Sequence, residues 1–203
     1  NNKCIQLFEY SNNNDINFNI KYNLDMASSL IISKFYYNNK CNEVVNISLN
    51  KRGANIKYNF SSISNNDNFY KINVYHLDNN TSSDVFNRIV AKENSSNYFD
   101  INSYVDNGIK DCYLNQSTKI VTLGDSDNRV NPNMFISEED VTAIHSSTIG
   151  SINEEDLFYL MSRGISYNDS VKLIIKGMIL SNINPDMENM ERILSILDSI
   201  GGE

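Results

Sequence analysis

From about residue 16 to residue 145 apolar side chains alternate with polar ones, as they do in strands with one buried face. Ile16, Phe18 and Ile20 mark one short strand, Val45, Ile47 and Leu49 another, and Ile56, Tyr58 and Phe60 a third. Phe69 to Tyr75, Tyr98 to Ile101 and Lys119 to Leu123 follow in the same manner. Each run is rich in β-branched or aromatic residues and is bounded by Asn, Ser, Asp or Gly. Past Gly150 the period becomes helical. Ser151 to Glu154 has capping-box spacing with Ser151 at the cap, and the helix that follows closes at Gly164. Ser166 to Asp169 starts a second helix, with Val171, Ile174, Ile175, Met178 and Ile179 as its apolar face. Asn184-Pro185 opens a third, with Pro185 at the first helical position. Its stripe is Met187, Met190, Leu194, Leu197 and Ile200, with Ile193 alongside and Gly201-Gly202 at its end. The pattern predicts a mainly β body over residues 1–150 and a helical subdomain over 151–203.

How the strands are arranged depends on the corners. Glycine and proline are scarce, and only Asn107-Gly108 suits a tight hairpin. Asn and Asp tolerate left-handed backbone and form side-chain turns, so they supply corners without glycine. Short strands with Asn-rich corners fit a parallel β-helix, in which asparagines ladder inside the corners. They also fit a sandwich. No clean repeat period separates the two.

Composition narrows the function classes. At 203 residues the chain can bury a sizeable core, and its formal charge is −8. No basic cluster suits nucleic acid, and an anionic membrane surface would repel the chain. No apolar run is long enough to span a bilayer, and the opening Asn1-Asn2-Lys3-Cys4 leads into no apolar signal segment. Cys4, Cys41 and Cys112 are odd in number and widely spaced, which argues for free thiols in a reducing compartment. The N-x-[ST] triplets at Asn46, Asn59, Asn80 and Asn94 are read as products of the asparagine excess.

Little in the residues points to a self-sufficient active site. His145 is a candidate metal or cluster ligand, weighed against a packed strand histidine with one hydrogen bond. His76 reads as a strand residue at a surface turn, Cys112 as a half-buried packing residue, and Glu138-Glu139-Asp140 as a solvated turn. Glycine-rich phosphate loops and nucleophile elbows are absent.

One family is a close match to the residues from about 70 to 180. Asp140-Val141, His145, Thr148, Gly150, Glu155, Leu157-Phe158-Tyr159-Leu160, Ser162-Arg163-Gly164-Ile165 and Leu173 to Gly177 resemble the C-terminal signature of the SufD-type members of the SufB/SufD iron–sulfur cluster scaffolds. Tyr98 to Ile101, Asp111 to Gln116 and Pro132 to Ile136 match the preceding rungs more loosely. The resemblance implies a right-handed parallel β-helix core with a C-terminal α-helical subdomain. It implies a non-catalytic scaffold that pairs with a SufB-like subunit or a second copy, and docks a SufC-type ABC ATPase through the helices. It also implies a transient iron–sulfur cluster at the subunit interface, with His145 as a ligand, and a bacterial cytoplasmic or plastid setting. Ser146 stands where SufB has glutamate, and Ile136 where SufB has its sulfur-accepting cysteine, so the chain is closer to SufD. For ATPase docking the candidates are Ile179, Met187, Met190 and Leu194, weighed against the same stripe being core. Two rival readings remain. One is a carbohydrate-active β-helix enzyme, and the other a homo-oligomer taking a sulfur ligand from Cys4, Cys41 or Cys112.

Overall fold

The computed structural model describes residues 4–200 and contains eleven strands followed by three helices. The strands are β1 (Cys4–Asn12), β2 (Asp15–Leu24), β3 (Ser29–Tyr37), β4 (Lys40–Leu49), β5 (Asn55–Ser64), β6 (Asp67–His76), β7 (Ser82–Lys92), β8 (Ser96–Val105), β9 (Cys112–Leu123), β10 (Asp127–Ile136) and β11 (Val141–Gly150). The helices are α1 (Glu154–Ser162), α2 (Tyr167–Leu180) and α3 (Met187–Ser199). Odd-numbered strands form one parallel sheet in the order β1-β3-β5-β7-β9-β11, and even-numbered strands a second, β10-β8-β6-β4-β2. The chain thus winds as a parallel β-helix of five two-strand rungs, with β11 beginning a sixth. The sandwich is excluded, because every strand pair is parallel.

Successive strands of the odd sheet are offset by 25, 26, 27, 31 and 29 residues, which is why no fixed period shows in the sequence. The corners absorb the difference. One corner stacks Ala27, Gly53, Asn80 and Asp111, all with positive φ between 50° and 75°. Their N–H groups donate to Arg52, Asn80, Lys110 and Asp140 carbonyls on the next rung at 2.9–3.1 Å. The opposite corner uses Asn13, Asn38 and Asn94 in the same way. Asparagine supplies most of these left-handed positions because its short amide tolerates them.

Between the two sheets lies an apolar lumen built from Ile32, Tyr58, Phe60 and Ile89 on one side and Val45, Ile47, Ile72 and Phe99 on the other. The outer face of the odd sheet is covered as well. Phe35, Ile63, Val90 and Val121 form a second core with Ile175, Ile179, Ile193 and Leu197 of the helices. Asn182 fastens that contact by donating to the Phe60 carbonyl at 2.9 Å, Ser61 Oγ at 3.0 Å and the Phe86 carbonyl at 3.3 Å. The helical segment therefore lies along the side of the solenoid.

The helix boundaries hold with two changes of detail. The α1 cap is Asn153, whose side chain accepts from Glu155 N–H, and not Ser151. Asp186 caps α3, so Pro185 lies just outside the helix. Ser166 caps α2 as expected. Gly164, at φ 87°, closes α1 in a Schellman arrangement: its N–H reaches the Met161 carbonyl and that of Ile165 reaches Leu160. The Gly201-Gly202 terminator lies outside the described residues.

Candidate functional site

The lumen holds charge that the sequence reading missed. Lys34 lies on the inward column of β3, directly above Glu9 of β1, and faces Glu43 of β4 across the lumen. Lys34 is 0% exposed and Glu43 1%. Lys34 Nζ pairs with Glu43 and reaches Glu9 Oε2 at 3.1 Å, while Tyr36 Oη donates to the other Glu9 oxygen. Burial works against the ammonium, but Glu43 and then Glu9 outweigh it and hold the Lys34 pKa above the ordinary lysine value. Burial pushes Glu43 above the usual carboxylate range, with Lys34 offsetting part of that. These directions pull apart. Lys34 remains the cation, because two carboxylates share it. Among the described residues Glu43 Oε2 has no hydrogen-bond partner. Burial, and then the nearby Glu43, pushes the Cys41 thiol up to about 12, so it is inert at neutral pH.

His76 corrects an expectation. It ends β6 inside the lumen, fully buried, and is not at a surface turn. Thr81 Oγ1 donates to the Asp78 carbonyl at 3.1 Å and therefore accepts from His76 Nδ1–H at 2.8 Å. The unprotonated Nε2 then accepts from Ser83 Oγ at 2.9 Å. Cys112 is a packing residue, more buried than expected, with its thiol 3.3 Å from Thr81 Oγ1. Glu138 sits in the β10–β11 turn, and the backbone N–H of Gly108 in the connection one rung below, with those of Asp140 and Glu139, holds its carboxyl below the usual range.

The open end of the solenoid presents the other group of candidates. The even sheet stops at β10, so β11 has no strand facing it, and its central eight residues are exposed on both faces. His145 lies in the middle of β11, paired with Gln116 of the rung below. Gln116 Nε2 donates to Ser103 Oγ at 2.8 Å, and its buried Oε1 has no partner among the described residues. Ile144 and Ile149 of the same strand are exposed, as is Phe135 on β10. Among the described residues no three His, Cys, Asp or Glu side chains converge as a metal site. His145 alone is therefore at most part of a ligand set. The thiols do not complete it from within: Cys41 and Cys112 are buried, and exposed Cys4 lies on β1, at the far edge of the same sheet.

The helical candidates separate. Ile179 is 0% exposed in the core beneath the helices, so it offers no docking surface. An amphipathic stripe cannot say which of its members the sheet will cover. Met190 and Leu194 are half-buried, and Met187 is 84% exposed at the start of α3. The larger apolar surface is on α1, which has no buried residue. Phe158 is 75% exposed, with Tyr159 and Met161 also exposed, and Leu157, Phe158 and Met161 line a shallow depression of about 470 Å³. Among the described residues no helix is long and apolar enough to cross a membrane.

Comparison with known proteins agrees with this architecture. The family described as "SUF system FeS cluster assembly, SufBD core domain" matches residues 11–178. The chain is 30% identical over 96 residues to the iron–sulfur cluster assembly protein SufD of Bacillus subtilis, covering 47% of this chain and 22% of that protein. Over 44 residues it is 43% identical to Escherichia coli SufD, covering 22% of this chain and 10% of that protein. To the SufBD family protein ycf24 of Galdieria sulphuraria it is 25% identical over 130 residues, 62% of this chain and 59% of the relative. The matched stretch thus spans about a fifth of the Bacillus relative's length.

The buried groups generate two predictions. His76 is held down to about 4 by burial, against an ordinary 6.5. The folded state therefore binds fewer protons than the unfolded chain between those values, and stability falls as pH drops through that window. Urea titrations at pH 7 and pH 4.5 should show a loss of roughly 2 kcal/mol in the wild type that is missing in His76→Gln. In the Lys34 network, Lys34→Met leaves buried Glu43 uncompensated and should cost about 3–5 kcal/mol. The double variant Lys34→Met/Glu43→Leu should recover most of that loss, as read from the same denaturation midpoints.

Proposed function

This chain belongs to the SufBD core family of the SUF iron–sulfur cluster assembly system, and on that premise we propose that it is a SufD-like, non-catalytic scaffold subunit. It pairs with a SufB-like chain through the open end at β10 and β11. It docks a SufC-type ABC ATPase through the helical segment, and it offers His145 to a nascent cluster that is the scaffold's cargo. The observation that carries this reading is β11, a strand bearing the motif histidine with neither face covered and one backbone edge free. Such an edge is a template for strand addition by another chain. A histidine without neighbouring ligands fits a site whose other half comes from a partner.

The docking surface moves from the residues first expected to α1. Phe158, Tyr159 and Met161 project from a helix that has no buried residue of its own, the form of an anchor set for a groove on another protein. Only Ser151 to Asn153 separate α1 from β11. Movement of a docked ATPase would therefore act on the strand that carries His145. The carbohydrate-active alternative finds no support, since the carboxylate most deeply placed, Glu43, is tied to Lys34 inside the lumen and faces no external groove.

Two outcomes check the reading. With the SufC-type ATPase of the same organism as prey, Phe158→Asp/Met161→Asp should reduce capture at least tenfold while leaving the melting temperature unchanged. Failure of the wild-type chain to capture it would remove the docking role. In the complex with a SufB-type chain reconstituted anaerobically with iron and sulfide, His145→Ala should lower iron retained per complex without dissociating the subunits. Equal iron in wild type and variant would take His145 out of the ligand set.

A further inference from the structure

Three columns of like side chains run across the even sheet and arrive at β10, and they end differently. Asn68, Asn97 and Asn128 form the first: Asn68 Nδ2 donates to Asn97 Oδ1 at 3.1 Å, and Asn97 Nδ2 to Asn128 Oδ1 at 2.9 Å. This column is closed within the chain, because Asn128 Nδ2 turns to Ser126 Oγ at 2.7 Å. In the second, Asn73 donates to Asn46 at 2.9 Å, Asn102 to Asn73 at 3.0 Å, and Asn133 to Asn102 at 3.0 Å. Every donor points toward the lower rung, so each Oδ1 is filled from above. Asn133 is the last, and no hydrogen bond among the described residues reaches its Oδ1. The third column stacks Tyr75 on Tyr104 at 4.8 Å and Tyr104 on Phe135 at 4.9 Å, with ring planes within 10°. Phe135 has no ring on its outer side and is 52% exposed.

The N-terminal half of β10 is thus terminated, whereas its C-terminal half breaks off two columns mid-course. Resting on the pairing proposed above, we infer that a partner strand completes β10 by presenting a side-chain donor, asparagine or glutamine, opposite Asn133 and an aromatic ring opposite Phe135. Asn133 and Phe135 are two apart on one face, so the partner's two residues are also at i and i+2. Their order along the partner strand gives its direction: amide first if parallel, aromatic first if antiparallel. Both columns then gain one more step of the same interaction that joins their existing members. A second copy of this chain does not supply the pair. Edge strands β2 and β11 have no amide and aromatic at that spacing on one face. On β10 itself the pair is amide first, and two copies of that same edge can run parallel only with their faces reversed, which carries the second pair to the far side of the sheet. On β1 two pairs do have it, Gln6 with Phe8 and Tyr10 with Asn12, but Phe8 and Tyr10 are already packed against the helical core, Tyr10 with its ring stacked on Phe35. The partner is therefore a different chain, and these two positions set its register on β10.

The test uses the full chain and a SufB-type chain of the same organism, with affinity read by titration and self-association by sedimentation. Asn133→Ala and Phe135→Ser should each weaken the heteromeric complex about tenfold or more, and Phe135→Tyr should bind as wild type does. Asn128→Ala, on the closed column, should have a smaller effect than either. Melting curves of each isolated variant confirm the fold. If the wild type pairs and all four variants pair equally well, the column inference is overturned and the pairing stands. A wild type that binds neither the SufB-type chain nor itself overturns both. Tight self-association with no heteromeric binding would overturn the assignment of a non-identical partner.

Discussion

Parallel strand pairing in strict register is the constraint from which the rest of this structure follows. Each residue of a rung lies about 4.8 Å above its counterpart, so side chains meet their own column before anything else. Asparagines bond to asparagines, rings stack on rings, and left-handed corner residues sit over one another. The arrangement also decides where polar groups can live. Lys34 is tolerable in the lumen because its column places Glu9 beneath it and the facing sheet brings Glu43 level with it. Without the even sheet Lys34 would keep only Glu9, from its own column.

How much of this could be read beforehand depends on which faces are covered. The even strands β4, β6 and β8 present one face to the lumen and the other largely outward, and their alternation was legible. Strand β3 was passed over because helices cover its outer face: Leu30-Ile31-Ile32 and Phe35-Tyr36-Tyr37 run on without alternation. The same covering hides β7 around Ile89-Val90-Ala91. The repeat was concealed by its unequal rung lengths. Lys34 and Glu43 did carry a signal, since each occupies the inward parity of an apolar strand pattern, Leu30-Ile32-Lys34-Tyr36 and Cys41-Glu43-Val45. A charge at an inward position implies a partner there. His145 was a candidate by its imidazole and was singled out over a packed histidine only through family resemblance, and nothing in its local pattern foretold that β11 would lie bare.

The helices and the sheet are linked more closely than a division at residue 150 suggests. They share one apolar core, and Asn182 donates into main-chain carbonyls of two neighbouring strands. A load applied to α1 therefore has two routes into the solenoid, one through the three-residue link to β11 and one through the packed face. Short connections and close-packed interfaces transmit displacement with little loss.

The unequal rungs have a consequence for how such a chain can change over generations. Offsets of 25 to 31 residues are accommodated while every strand stays in register, because the surplus is looped out at corners. An insertion or deletion there alters one loop and leaves the columns intact. The same change inside a strand would turn its lumen residues outward and misplace every ladder that crosses it. Lineages of this fold should therefore diverge in length at the corners and in composition on the outer face, while strand length and inward parity stay fixed. The sequence period would then erode long before the architecture does.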